Sequence, residues 1–589
     1  MITCDATSHG DERVSKLVRF LGIEVTCLTL DSECREDLER ILGKIPAGQS
    51  LLFHCKSAGI IHAVAPEVLD AIRLQAKDLL VYGFGSELDS ERVATSLLGR
   101  EVKILPLLHD GACTVKVHEH PGFSNFTVTG KEFQAELSSA LRYFETQNVD
   151  SLGVGMSHAG KPTFIHAEGE GAQVYSFAGE LELDLDSPVA DQEWQLLPYY
   201  AQLLAFGMYV RTVFPDSSWH APEVGANFII DDPHLKKRYG FVDYVTLTDT
   251  VDATQSALTI AFIPYNYSRS DPSVVRLMAV RTRQFSITVH GCDHTGGEFA
   301  SSDLRQLQGL ASLALERMEK HRRLTGLPYE ASMVFPQGLF SEEALLALRS
   351  VGYRAAINSS VWAEGRTQPI TVRDLLSVAV LRRGSVPLFS RRYPQAPFEH
   401  AFHAFFGQPL FCVEHHGYFR HGYDPYVQWV KEMATLGSSV RWMPLDEVLD
   451  RAYLIRRTGT TGEYAVRQYT DRIRLKNPDA DAAVFAVEMS ECEENVLAVY
   501  SNGKPLLHAL REGVLTYSVE VAGGQEADVK VSRSPTDAKA MYWRPKLSYR
   551  VRAAVRRILS DVRDNYIARS PVLLNIAEGA KNALKTAVR

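Results

Sequence analysis

Between Trp219 and Met443 short apolar runs alternate with stretches of helical periodicity. The runs at 227–230, 258–263, 285–289, 332–335, 354–357, 375–380, 410–413 and 440–443 predict eight strands. Two intervening helices carry clear end signals. Asp303 is placed to cap a helix over 304–323, where Leu307, Ala311, Ala314 and Met318 form one apolar stripe. Ser341 is placed to cap a second over 342–350, with Glu342 and Glu343 in its first turn and Gly352 as its stop. Strands joined by crossover helices over residues 219–455 predict a distorted β/α barrel.

The flanking patterns differ. Residues 1–110 place apolar runs at 51–55, 79–83 and 102–105 around a helical stretch at 64–76, which predicts an α/β layer domain. Residues 111–218 read as a strand-rich module, and neither part contains a phosphate loop or GxGxxG. Residues 460–533 alternate apolar and polar positions between Asn-Gly and Gly-Gly turns, as a small β-sandwich does. Residues 544–589 form a basic tail with an amphipathic helical look. The expected architecture is therefore α/β and multidomain, with the barrel at its centre.

Charge alters the picture only at that tail. The chain's net charge is −8, which gives no reason to expect a nucleic-acid partner. The tail holds eleven Lys and Arg against Asp561, Asp564 and Glu578, a balance of +8 that leaves −16 elsewhere. Such a helix either packs back on an acidic domain or makes peripheral contact with an anionic membrane surface. The eight cysteines form no CxxC pair and several lie in apolar runs, as reduced core thiols do. The first residues lack the basic and apolar regions of a secretory signal, and no run reaches the ~18–20 apolar residues of a spanning helix. These features lead us to expect a cytoplasmic protein; oligomeric state is left open.

Candidate chemistry sits where barrel strands end. One strand runs into Asp231-Asp232-Pro233, a second into His290-Gly-Cys-Asp-His294, a third into Pro336-Gln337-Gly338, and a fourth into Glu414-His415-His416. Imidazoles four residues apart on a helical turn face one way and can share a metal. Alone, an HxxxH or an Asp-Asp pair is a weak signal. Their combination at separate strand ends is stronger.

In this order the motifs resemble those of the polysaccharide deacetylases, carbohydrate esterase family 4, over about residues 220–455. Ile229-Ile-Asp-Asp-Pro233 resembles the family's T-F-D-D-G-P. His290–His294 resembles H-[ST]-x-x-H, Val334-Phe-Pro-Gln-Gly338 resembles R-x-P-x-G, and 410–415 resembles the late strand ending in His. The resemblance implies that Asp232, His290 and His294 bind a divalent metal, with zinc the first choice, and that Asp231 is the general base. It implies His415 or His416 as general acid, and backbone N–H groups near Gln337 and Gly338 as oxyanion donors. The implied substrate is an acetylated carbohydrate. A non-sugar amide or other C–N bond, or an inactive carbohydrate-binding scaffold, are the alternatives.

The departures are specific. The glycine after the paired aspartates is missing, and the arginine of the third motif falls at Val334. Arg269 and Arg281 are candidates to replace it, and Glu298 and Asp293 to support the ligands. Tyr265, Tyr267, Phe335, Trp362, Tyr418 and Phe419 are candidates for sugar stacking, though core packing is the commoner fate of such residues.

Overall fold

The computed structural model describes residues 1–3, 9–29, 47–64, 66–85, 88–108, 111–136, 141–146, 152–168, 171–190, 193–382, 384–437, 439–459, 462–490, 496–533 and 545–569. The chain divides into two units, 1–220 with 371–373 and 456–458, and the remainder.

The first unit is built on a nine-stranded mixed sheet. Ser50–His54 and Asp78–Tyr82 run parallel, and Asp78–Tyr82 pairs in parallel with Gln173–Phe177. The sheet then turns antiparallel through Lys161–Glu168, Gly153–His158 and Ala112–Val117. One sheet thus runs across the boundary expected near residue 110. Helices Cys55–Val64, Pro66–Gln75 and Leu88–Leu98 cover it, with Ala58, Ile61, Leu69 and Val93 in one core with Leu79 and Val81.

The second unit holds the barrel. Its strands are β1 (Val224–Asp231), β2 (Leu258–Phe262), β3 (Phe285–His290), β4 (Glu330–Val334), β5 (Ala355–Asn358), β6 (Leu388–Ser390), β7 (Leu410–His415) and β8 (Val440–Trp442). The order is β6-β5-β4-β3-β2-β1-β7, all parallel, with β8 beside the start of β1. A single bridge between Arg392 and Cys412 joins the two edges and nearly closes the sheet. Every residue of β1 is buried, as expected of a parallel strand covered on both faces. The polar Asn227 inside it donates from Nδ2 to the Met443 carbonyl and so ties down the end of β8.

Both marked helices form as expected. Asp303 accepts from the Gln306 N–H at the head of Leu304–Thr325, and Ser341 accepts from Ala344 at the head of Glu342–Val351, which stops on left-handed Gly352. The predicted strand at 375–380 is corrected. There the chain makes a short helix, Val372–Leu376, then irregular turns, and the sixth strand is β6 instead. Leu375, Leu376, Val378, Ala379 and Val380 are all buried, so the apolar run reports burial and not extended backbone.

Beyond the barrel, strands such as Ala483–Ser490 and Val514–Val521 in one sheet, and Arg472–Lys476 and Glu526–Arg533 in another, enclose a core of Val466, Ile473, Phe485 and Val529. Residues of Ala483–Ser490 and Val514–Val521 alternate strictly between buried and exposed, as the sequence pattern required. The tail forms a helix over Leu547–Val562, continued by a wider turn over Arg563–Ile567. Residues 570–589 lie outside the described residues, as do Cys4, Cys34 and Cys492. Cys55, Cys113, Cys292 and Cys412 are buried thiols, whereas Cys27 is exposed and so departs from the core expectation. Among the described residues no helix is long and apolar enough to cross a membrane.

Candidate metal centre

β1 delivers Asp231 as its last residue and Asp232 as the first residue beyond it. Asp232 takes a left-handed backbone, φ 80°, a conformation that aspartate adopts more readily than most residues other than glycine. β3 delivers His290 in the same way. The loop that follows is not helical, which corrects the expected helical turn between the histidines. Gly291 and His294 both have positive φ, at 63° and 55°. Gly291 has no substitute: a Cβ there would stand 2.2 Å from Glu298 Oε1 and 2.3 Å from Pro336 Cγ. The buried Glu298 carboxylate accepts from the backbone N–H groups of Cys292, Asp293, His294 and Thr295. Those bonds fold the loop back so that His294 faces His290, with ring centroids 5.0 Å apart. Asp293 is held by Arg317 at 2.6 Å and is not part of the group of residues that could share an ion.

Asp232, His290 and His294 each offer one donor atom within 4.8 Å of the others. Oδ1 of Asp232 lies 3.3 Å from His290 Nε2 and 3.1 Å from His294 Nε2, yet this buried oxygen makes no hydrogen bond. The tautomer of His290 explains what is missing. Its Nδ1 is 3.0 Å from the Val334 carbonyl, which can only accept, so Nδ1 carries the proton. The neutral ring then turns a bare Nε2 lone pair toward a carboxylate oxygen. Two acceptors face each other, an arrangement that calls for a cation between them. Burial opposes charge on His290, but Asp231 and Asp232 outweigh it, so the ring binds a proton more readily than usual. For Asp232, burial likewise works against the charge, but His294 and His290 hold the carboxyl well below its usual range. Two imidazoles and a carboxylate fit zinc, and equally other first-row divalent ions.

Asp231 is fixed from the opposite side. Arg391, just beyond β6, donates from Nη1 and Nη2 to its two oxygens, each at 2.7 Å. Burial raises the Asp231 pKa, and Arg391, with His290 and His415, more than offsets it, so the net shift is downward. Neither arginine expected to fill this role does so. Arg269 pairs with Asp561 at 2.6 Å, and Arg281 with Asp252 at 2.9 Å. Val334, at the position of the family arginine, contributes its carbonyl to His290 instead.

The two candidate acids have different surroundings. His415 is exposed and is the register partner of Asp231 across the β1–β7 pair. His416 is turned aside, 3.5 Å from Asp564 and stacked on Phe241. Gln337 and Gly338 both have positive φ. The Gly338 N–H donates to the Phe335 carbonyl, and the Gly338 carbonyl accepts from Asn358. Phe335 is buried against Phe340, and Phe419 is buried beside Tyr423, so these two belong to the core, while Tyr265, Tyr267, Trp362 and Tyr418 are half-buried.

The tail packs back on the barrel, one of the two arrangements expected of it, and lies over the centre. Asp561 meets Arg269 at 2.6 Å and His234 at 3.0 Å. Asp564 accepts from the Tyr239 hydroxyl at 2.7 Å, and Asn565 accepts from the Gly240 N–H at 3.1 Å. The buried Arg557 brings Nη2 to 3.4 Å from Nδ1 of His294. Sequence reasoning saw this helix as basic and amphipathic, but nothing local to it signals which side turns inward.

No protein-family model matches the chain, and no curated protein matches it. Solved structures do match over part of the chain. A protein from Mycobacterium smegmatis assigned to the polysaccharide deacetylases is 14% identical, with a TM-score of 0.28, over 38% of this chain and 89% of its own. A family 4 carbohydrate esterase from Bacillus anthracis is 12% identical, with a TM-score of 0.25, over 39% and 84%. A 4-alpha-glucanotransferase from Thermococcus litoralis is 11% identical, with a TM-score of 0.26, over 38% and 40%. Likeness at this level carries no functional argument, which rests on the side chains described above.

Proposed function

We propose that the barrel is a metal-dependent deacetylase similar to the polysaccharide deacetylases, acting on an acetylated sugar. One observation carries the reading: an unsatisfied carboxylate oxygen of Asp232 faces the Nε2 atoms of two histidines, one of which is locked in the metal-ligating tautomer. Asp232, His290 and His294 would hold the ion. A divalent ion bound there supplies Lewis acidity, polarising the acetyl carbonyl and easing ionisation of water.

The remaining roles fall to the chain's own groups. Asp231 stands next to the ligand set with its charge secured by Arg391, so it is the group suited to take a proton from the attacking water. Two-pronged binding by Arg391 also fixes the carboxylate plane, leaving the outer lone pairs to accept. His415 is the better proton donor to the departing amine or alkoxide, because it is exposed beside Asp231 while His416 is engaged by Asp564. With the Gly338 N–H bonded to Phe335, oxyanion stabilisation by backbone would fall to Gln337.

The test is acetate release from N- and O-acetylated oligosaccharides by the metal-loaded protein, beside Asp231→Asn. Release by the native chain and its loss in the variant support the reading. Equal release by both removes Asp231 as base, and release only from non-sugar amides moves the substrate to the other class.

A further inference from the structure

We propose that the outer face of the C-terminal helix is a docking surface for an anionic lipid bilayer. A surface helix ordinarily buries its apolar stripe and presents its charged face to water. Helix Leu547–Val562 does the reverse. Its inward positions are Ala553 and Arg557, followed by Asp564 beyond its end, and the polar groups among them are spent on the barrel and the metal centre. At 3.6 residues per turn, Leu547, Val551, Val555, Ile558, Leu559 and Val562 share the opposite side. These six are between 42% and 73% exposed. A continuous apolar strip of this kind on a charged helix marks an interaction site.

Charge selects the partner. Arg552, Arg556 and Arg563 line one border of the strip and Arg550 lies toward the other; Asp561 is turned to His234 and Arg269, while Asp564 accepts from Tyr239 and also pairs with Arg563 at 2.6 Å. Residues 545–569 hold seven Lys and Arg against two Asp, in a chain whose net charge is −8. An apolar strip edged by arginine is the pattern of a helix lying in the headgroup plane of an anionic leaflet. It is a poor match for a second copy of this helix, whose arginines would repel it. The proposal does not depend on the reaction carried out beneath the helix.

The experiment is co-sedimentation of the full chain with vesicles of phosphatidylcholine alone and of phosphatidylcholine with phosphatidylglycerol. Arg552 and Arg556, with Arg563 already paired to Asp564, predict tighter binding to the anionic vesicles, on the order of thirtyfold, falling with added salt. The Val555→Glu/Ile558→Glu double variant should lose that binding while its melting temperature and circular dichroism stay unchanged, because both positions are exposed. Asp232→Ala should bind vesicles like the native chain, which separates this proposal from the deacetylase reading. Equal binding to neutral and anionic vesicles, or binding to neither, overturns it. So does a concentration-dependent dimer that the double variant abolishes, or vesicle binding that appears only when the chain is ended at Arg569.

Discussion

Arg391 and Asp231 face each other in a buried, two-pronged ion pair, each terminal guanidinium nitrogen 2.7 Å from its own carboxylate oxygen. Both side chains are at most 4% exposed, so removing one partner strands a charge where water cannot reach it. Arg391→Ala should therefore destabilise the barrel by about 3–5 kcal/mol in denaturant unfolding. Arg391→Lys should recover part of that stability but not the paired geometry. In either variant the Asp231 pKa rises, and the acid limb of the pH–rate profile moves to higher pH. An unmoved limb would mean that Asp231 does not set it.

The two late histidines predict a clean division. His415→Ala should lower turnover by about 10²–10⁴-fold, the usual size of a general acid's contribution, with metal content unchanged. His416→Ala should leave turnover largely intact and loosen the tail, since its imidazole meets Asp564 and Phe241. Limited proteolysis after Arg563 or Arg569 reports the loosening. Reversed phenotypes would exchange the roles.

At His294 the tail would compete with a bound metal. If Nε2 is to ligate, the ring proton must sit on Nδ1, and there it meets Arg557 Nη2, a donor 3.4 Å away. Arg557→Ala removes the conflict and should tighten zinc binding roughly tenfold, at the low end of effects seen when a ligand's partner is changed. Titration against a competing chelator measures this, and weaker binding would make Arg557 a support for the centre.

Acid should release the tail. Burial opposes the charge on Asp561 and Asp564, but their partners bring each carboxyl down to about 2, against an ordinary 3.8. A carboxyl with a lowered folded pKa adds stability that is fully present above its unfolded value. That stability is lost as pH falls through the window between 3.8 and about 2. His234 widens the window upward: burial lowers its pKa below the ordinary 6.5 despite Asp561, so the opened chain takes up a proton first and stability begins to fall below that pH. Protease sensitivity of residues 545–569 should thus begin to rise below pH 6.5 and rise further below 3.8. A rise complete by pH 5 would place the controlling group on His234 and not on the two carboxylates.

Much of the barrel was legible because its strands are buried on both faces and therefore spell continuous apolar runs, as Phe228–Ile230 does within β1. The same rule misled at 375–380, where a buried run has no strand geometry. That error also hid Arg391, which follows a sixth strand of only three residues, Leu388–Ser390. The ligand residues were visible as types at strand ends, but the device that joins His290 to His294 was not. It depends on Gly291 and on four N–H bonds to Glu298, and hydrogen bonds to backbone leave no periodic trace. The tail's place over the centre was equally hidden, since it rests on contacts hundreds of residues apart, such as that of Tyr239 with Asp564.

The most direct test is the metal content of the purified protein, measured by inductively coupled plasma mass spectrometry beside Asp232→Ala, His290→Ala and Asp231→Asn. Convergence of Asp232, His290 and His294 on one ion predicts a stoichiometric divalent metal in the native chain and in Asp231→Asn, and its loss from the other two variants. Equal metal in all four proteins, or none in the native chain after zinc loading, would contradict a shared cation.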